Sequence, residues 1–153
     1  MMRLGRSFQI SVEDSHSFDV IRSLYCQQLE MRNFLARREL GIISFRKTVN
    51  IEFPSYKRGK VFIIFREGKI SISSGINRIN VDWSVKLDIL YFLSILSGLF
   101  FCLVMNLYLD LSLSLTLVTG VLGTVAALFT GIVLMLLKID EINSACFNKL
   151  KER

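Results

Sequence analysis

Between residues 43 and 53 apolar and polar positions alternate with one fault. Ile43, Phe45, Val49, Ile51 and Phe53 are apolar, Lys47 is the exception, and Ser44, Arg46, Thr48, Asn50 and Glu52 are polar. A period of two sends successive side chains to opposite faces, so the run predicts a strand with one dry and one wet face. The same alternation predicts a short strand over 7–12, through Phe8, Ile10 and Val12, and another over 76–87, through Ile79, Val81 and Trp83. Pro54, the only proline, ends the 43–53 run, and SYKRG after it makes a basic turn. KVFIIF reads as an apolar strand, REGK as the next turn, and KISIS as the hairpin partner.

A different period runs from Phe18 to Leu40. Phe18, Ile21, Leu24, Tyr25, Leu29 and Leu35 share one side of a helical wheel, and Asp19, Arg22, Glu30, Asn33 and Arg37 gather opposite. Ser15 or Ser17 would cap this helix, with Asp19 facing its positive end. Arg37 and Arg38 would sit at its negative end, and Gly41 would stop it in left-handed geometry.

The pattern then changes in kind. Ile89–Leu109 and Leu111–Leu137 contain no Lys, Arg, Asp or Glu over 21 and 27 residues. As helices these windows measure about 32 and about 40 Å, against a bilayer core of about 30 Å, so both are long enough to cross. Trp83, Tyr91 and Tyr108 lie near the ends of the first window, where amphipathic rings favour headgroups. The second window carries Gly120, Gly123, Ala127 and Gly131 on an extended small face, with Ser97 and Gly98 among the counterparts on the first. Small residues let two apolar helices approach closely in lipid, so these six are candidate helix-packing positions, between the two helices or toward another chain. Beyond Lys138 the helical spacing continues through Ile139, Ile142, Cys146, Phe147 and Leu150, with Asp140, Glu141, Asn148 and Lys151 opposite. This predicts an amphipathic tail, expected to pack on the strand-rich part.

These elements predict a small cytoplasmic α+β domain over 1–84, one helix on a mostly antiparallel sheet. A transmembrane helical hairpin over 85–138 follows, with spans at about 87–109 and 112–137, and then a cytoplasmic helical tail over 139–153.

Charge sets the expected orientation. The 153 residues carry a net +6, and all 19 Lys and Arg lie outside the two apolar windows. Fifteen fall in residues 1–86 and four from Lys138 onward, whereas the connector around Asp110 has none. The positive-inside rule then places both termini in the cytoplasm of an inner or plasma membrane. The first ten residues, MMRLGRSFQI, lack the apolar core of a secretory signal.

Candidate chemistry adds little. His16 is the only histidine, beside Glu13 and Asp14 at a helix start, where adjacent residues seldom converge on a metal. Cys26, Cys102 and Cys146 are odd in number and form no C-x-x-C pair, so neither a disulfide framework nor a zinc site is expected. No nucleophile elbow, zinc-protease motif or phosphate loop occurs. No catalytic, cofactor-binding or metal site is therefore expected. Arg37, Arg38, Arg46, Lys47, Lys57, Arg58 and Lys60 form a basic set that is a candidate contact for anionic lipid or a partner. These charges are scattered, without interleaved aromatics, so nucleic acid is not expected.

The expected function is that of a non-catalytic membrane accessory or scaffold protein. Its partners would be membrane lipids and a protein or second copy met through the transmembrane helices. The alternatives are a small subunit of an oligomeric channel or transporter, and a module that binds anionic lipid. Transport usually shows an ionisable group within a span, and neither window has one.

Overall fold

A computed structural model describes residues 2–11, 18–47, 66–75, 78–109 and 112–151. The elements in chain order are β1 (Arg3–Ser11), α1 (Phe18–Glu30), β2 (Phe34–Glu39), β3 (Ile42–Lys47), β4 (Glu67–Gly75), β5 (Arg78–Lys86), α2 (Asp88–Leu109) and α3 (Leu113–Lys151). The described strands form one antiparallel sheet in the order β1-β5-β4-β3-β2. Among the described strands β2 to β5 lie side by side in chain order, and β1 closes onto β5, with Phe8 opposite Val81 and Leu4 opposite Val85. The architecture is an α+β unit followed by two long apolar helices.

Alternation sorts the sheet into two faces. Ile43, Phe45, Ile70, Ile72, Ile79, Val81, Trp83 and Val85 point inward and are buried, together with Ile21, Leu24, Tyr25, Cys26 and Leu29 of α1. The ring edges of Phe34, Phe45 and Trp83 meet in sequence, each pair of centroids 5.7 Å apart, and Tyr25 reaches Trp83 at 6.1 Å. Such edge-to-face pairs add about 0.5–1.5 kcal/mol each beyond simple burial.

Helix α1 is shorter than its sequence period implies. It ends at Glu30 rather than at Gly41, and residues 34–39 form β2. The reason lies at the positions following Leu29. A continuing helix would turn Arg32 and Asn33 inward, three and four residues on. Instead Asn33 takes a left-handed φ of 63°, and its N–H donates to the Glu30 carbonyl at 2.9 Å. The Arg32 guanidinium turns back to cap the Gln28 carbonyl at 3.1 Å and its side-chain oxygen at 2.5 Å. Arg37 and Arg38 therefore lie on a strand, not at a helix end. Gly41, at φ +81°, makes the two-residue turn between β2 and β3, because Glu39 registers with Ile42.

The segment REGK differs from expectation too. Glu67, Gly68 and Lys69 are the first residues of β4, not a turn. Gly68 sits in the sheet because the Phe45 ring lies across it: a Cβ there would come within 2.5 Å of Phe45 Cζ. The expected continuation of β3 to residue 53, the basic turn after Pro54, the KVFIIF strand and the caps at Ser15 and Ser17 fall outside the described residues.

Helix α3 is continuous over 39 residues, about 58 Å. It contains no proline, and no glycine after Gly131. Its first part lies antiparallel to α2, and from Met135 onward it enters the core of the α+β unit. There Met135, Ile139, Ile142, Cys146 and Leu150 are buried with the α1 and sheet residues. One helix thus belongs to both halves of the molecule.

Candidate functional site

Three arrangements stand out: the contact between α2 and α3, a buried polar junction between α3 and the sheet, and a basic cleft where β5 meets α2.

The small residues of α3 face α2 of the same chain. A Cβ on Gly98 would collide with the Thr124 hydroxyl and lie 2.6 Å from the Gly120 carbonyl oxygen; one on Gly120 would strike Cys102 Sγ. A Cβ on Gly123 would come within 2.9 Å of the Phe101 ring, and one on Gly131 would strike Leu90. The Cys102 thiol donates to the Thr116 carbonyl at 3.3 Å across the same contact. Gly98, Gly120, Gly123 and Gly131 therefore occupy one intrachain interface, with Ser97 and Ala127 half-buried. The opposite surfaces are bare and apolar: Phe92, Leu99, Phe100, Val121, Leu122 and Phe129 are all more than 60% exposed.

The polar junction centres on Asn143. Its side-chain oxygen accepts from the Tyr25 hydroxyl at 2.6 Å and from the Trp83 indole N–H at 3.1 Å. All three residues are at most 1% exposed, and the Asn143 amide nitrogen has no partner among the described residues. Burial pushes the Tyr25 hydroxyl pKa upward, and the Cys146 thiol beside it adds to the shift. Cys146 itself is pushed up to about 12 by burial, against the opposing pull of Arg32 and Lys149. Ion pairs flank the junction: Arg6 with Asp140 at 3.0 Å, and Arg32 with Glu141 at 3.4 Å. Lys138 also pairs with Glu141, and holds its carboxyl below the usual range. These outer pairs are exposed enough to add little individually. Sequence reasoning passed over Asn143. The signal was there: a polar residue four after Ile139 and three before Cys146, on the apolar face.

The cleft encloses about 240 Å³ between Arg46, Arg66, Glu67, Lys86, Asp88 and Ile89. It lies on the outer, solvent-facing side of the sheet, at the rung closest to α2. Across that rung Arg3 registers with Lys86, the Lys86 ammonium bonds Glu67 at 2.6 Å, and Glu67 registers with Arg46. Glu67 is held below the usual carboxylate range, first by the Lys86 hydrogen bond and then by the charges of Lys86, Arg46 and Arg66, against some desolvation.

The basic set expected from sequence divides between locations. Arg46 lines the cleft, and Arg37 lies one rung away on the same face. Arg38 and Lys47 belong to the other face. Arg38 registers with Ile43, and its Nε donates to Cys26 Sγ at 3.3 Å. Lys47 registers with Phe34, and burial lowers its pKa. Lys57, Arg58 and Lys60 lie outside the described residues, as does His16. Arg66, Lys86 and Arg3 are additions from the structure. They are far apart in sequence, and only the strand order β1-β5-β4-β3 assembles them. Among the described residues no three His, Cys, Asp or Glu converge as a metal site would need. Comparison with protein-family models, with curated proteins and with solved structures finds no match.

Proposed function

We propose that this chain is a non-catalytic integral membrane accessory or scaffold protein. In this reading α2 and α3 cross the bilayer as a hairpin, and the α+β unit and both termini lie in the cytoplasm. The connector at 110–112 lies on the far side. The observation that carries the reading is the contrast along α3. Its apolar window is only 17% buried, whereas Ile139, Ile142 and Cys146, a few turns later, are fully enclosed. A helix in the core of a soluble domain would be covered along its length. Here the bare stretch matches α2 in extent and apolar character, and large contiguous apolar surfaces on soluble monomers are rare. The charge-free windows and the cations on one side of them support the same orientation.

With the glycine stripe occupied by α2, contacts to a protein partner or a second copy fall on the outer faces of the hairpin or on the sheet. The helix that anchors the unit also forms part of its core. A partner held by the sheet would thus be kept at a set height above the bilayer.

Fractionation and site-specific labelling test this reading. The full chain should remain in the membrane pellet through an alkaline carbonate wash. A cysteine placed at Ser112 should react with an impermeant maleimide added to intact cells, and one placed at Arg3 only after permeabilisation. Release by carbonate would refute the membrane anchor, and the opposite labelling pattern would refute the orientation.

A further inference from the structure

On the outer face of the sheet, cations are graded along the strands. The rung nearest α2 carries Arg3, Lys86 and Arg46 against one anion, Glu67, with Arg66 immediately beside it. The next rung holds Lys69 and Arg37, across Gly5, Ser84 and Ser44. The third reverses sign with Asp82 and Glu39, the fourth is neutral through Gln9, Asn80 and Ser73, and the last carries Arg78 alone. Topology alone would ask only for positive charge somewhere on this side. It does not ask for charge concentrated on the two rungs closest to the hairpin, nor for a concavity there.

The cleft supplies that concavity, and its lining is mixed in an informative way. Arg46, Arg66 and Lys86 offer N–H donors against the carboxylates of Glu67 and Asp88, which leaves the lining net positive, while Ile89, one residue into α2, begins the apolar window. A ligand fitting both would carry a phosphate at the rung and an acyl chain along α2. Arginine is well suited to the first part, because its planar fork can donate two parallel bonds to one phosphate. Lys86 is already engaged by Glu67, which leaves Arg46 and Arg66 as the groups to meet an incoming anion.

We infer that the cleft between β3, β4 and the start of α2 is a headgroup site for an anionic phospholipid, its phosphodiester held by Arg46 and Arg66. Lys86 and Glu67 form the floor that positions them. This inference rests on the membrane reading above and narrows it: the α+β unit would grip the inner leaflet at a defined point, beyond general attraction to negative charge. The shared chemistry is a phosphate anion, and the lipid is chosen over a free phosphate because Ile89, at the start of the apolar window of α2, lines the cleft.

The test uses the full chain, solubilised in a neutral detergent and titrated with dioleoyl phosphatidylglycerol, dioleoyl phosphatidylcholine or inorganic phosphate. Bound lipid is counted by native mass spectrometry. The wild type should bind the first phosphatidylglycerol at least tenfold more tightly than phosphatidylcholine. The pair Arg46→Gln and Arg66→Gln should bring the two lipids within about twofold of each other. The pair Arg78→Gln and Lys151→Gln removes the same charge far from the cleft and should keep the wild-type preference. A wild type that does not distinguish the lipids would overturn the site, as would a preference surviving in the cleft pair or lost in the distant pair. So would displacement of phosphatidylglycerol by inorganic phosphate at equal concentration, which would mark a site for a free anion. Failure of the membrane reading would look different: a chain monodisperse in buffer without detergent and released by carbonate.

Discussion

Replacing Asn143 by alanine removes the one oxygen to which two buried donors point. The Tyr25 hydroxyl and the Trp83 indole N–H both lose that acceptor in a region at most 1% exposed. A buried donor left unsatisfied costs about 1–3 kcal/mol. Two of them give about 2–6 kcal/mol, reduced by about 1–2 kcal/mol because the unpartnered Asn143 amide nitrogen goes as well. The expected net loss is about 1–4 kcal/mol, or a fall in melting temperature of roughly 3–15 °C for a chain of this size.

Tyr25→Phe separates this account from a simple packing effect. In the wild type it removes one hydrogen bond while Trp83 still holds the Asn143 oxygen, a loss of about 1 kcal/mol. In the Asn143→Ala background it removes a stranded hydroxyl and should be neutral or mildly stabilising. The two changes should therefore be non-additive by about 1–3 kcal/mol. The chain has a single tryptophan, Trp83, which lies at the junction. Its fluorescence reports urea unfolding of the α+β unit directly, in a mild detergent that keeps α2 and α3 covered. Strict additivity, or a cost for Asn143→Ala below about 0.5 kcal/mol, would refute the claim that Asn143 joins α3 to α1 and the sheet through these two hydrogen bonds.

The remaining predictions concern the hairpin and the ionisable core. Gly98→Ala should destabilise the α2/α3 contact by about 1–2 kcal/mol, because overpacking against the Gly120 carbonyl outweighs the gain in helix propensity of about 1 kcal/mol. Gly123→Ala meets a side chain and not backbone, Phe101 at 2.9 Å from its ring and 3.3 Å from its Cβ, so its cost should be smaller than that of Gly98→Ala, about 0–1 kcal/mol; thermal melts in detergent giving the reverse order would contradict the interface described. Cys146 has a folded pKa of about 12 against a reference of 9.0, so its contribution is complete below pH 9 and is lost as pH rises toward 12. The unfolding free energy should fall there by about 1.4 kcal/mol per pH unit for this proton, and Cys146→Ala should flatten that slope in urea titrations. Glu141 shifts the other way: held down by Lys138 and Arg32, it stabilises above its unfolded pKa and loses that support in acid. Glu141→Gln should therefore reduce the acid sensitivity of the melting temperature, and an unchanged acid limb would count against the pairing.

Local pattern was enough for the elements whose two faces differ in polarity. The alternation through Ile79, Val81 and Trp83 anticipates β5, and the period through Ile21, Leu24, Tyr25 and Leu29 anticipates α1, because each set of side chains has one wet side and one dry side. The same logic failed beyond Leu29, where Leu35, next to Phe34, still fitted a helical wheel. On a strand these two point to opposite faces, and only the pairing of Phe34 with Lys47 and of Leu35 with Arg46 decides between the alternatives. Gly68 shows the same limit. Glycine in REGK reads as a turn until the Phe45 ring, 23 positions earlier, is seen to need the space.

Non-local placement also explains why the candidate site was only half legible. Arg46 stood out within a basic stretch, but its neighbours in the cleft come from the starts of β4 and α2 and the end of β5. No spacing rule links them. The sheet order does, by returning β1 to the far side of β5 and stacking Arg3, Lys86 and Arg46 along one rung. Local charge counting fixes the sign of this side of the molecule, and β-pairing decides where on it the charge accumulates. A change of register by two residues would leave composition and hydrophobic pattern intact and still take the cleft apart.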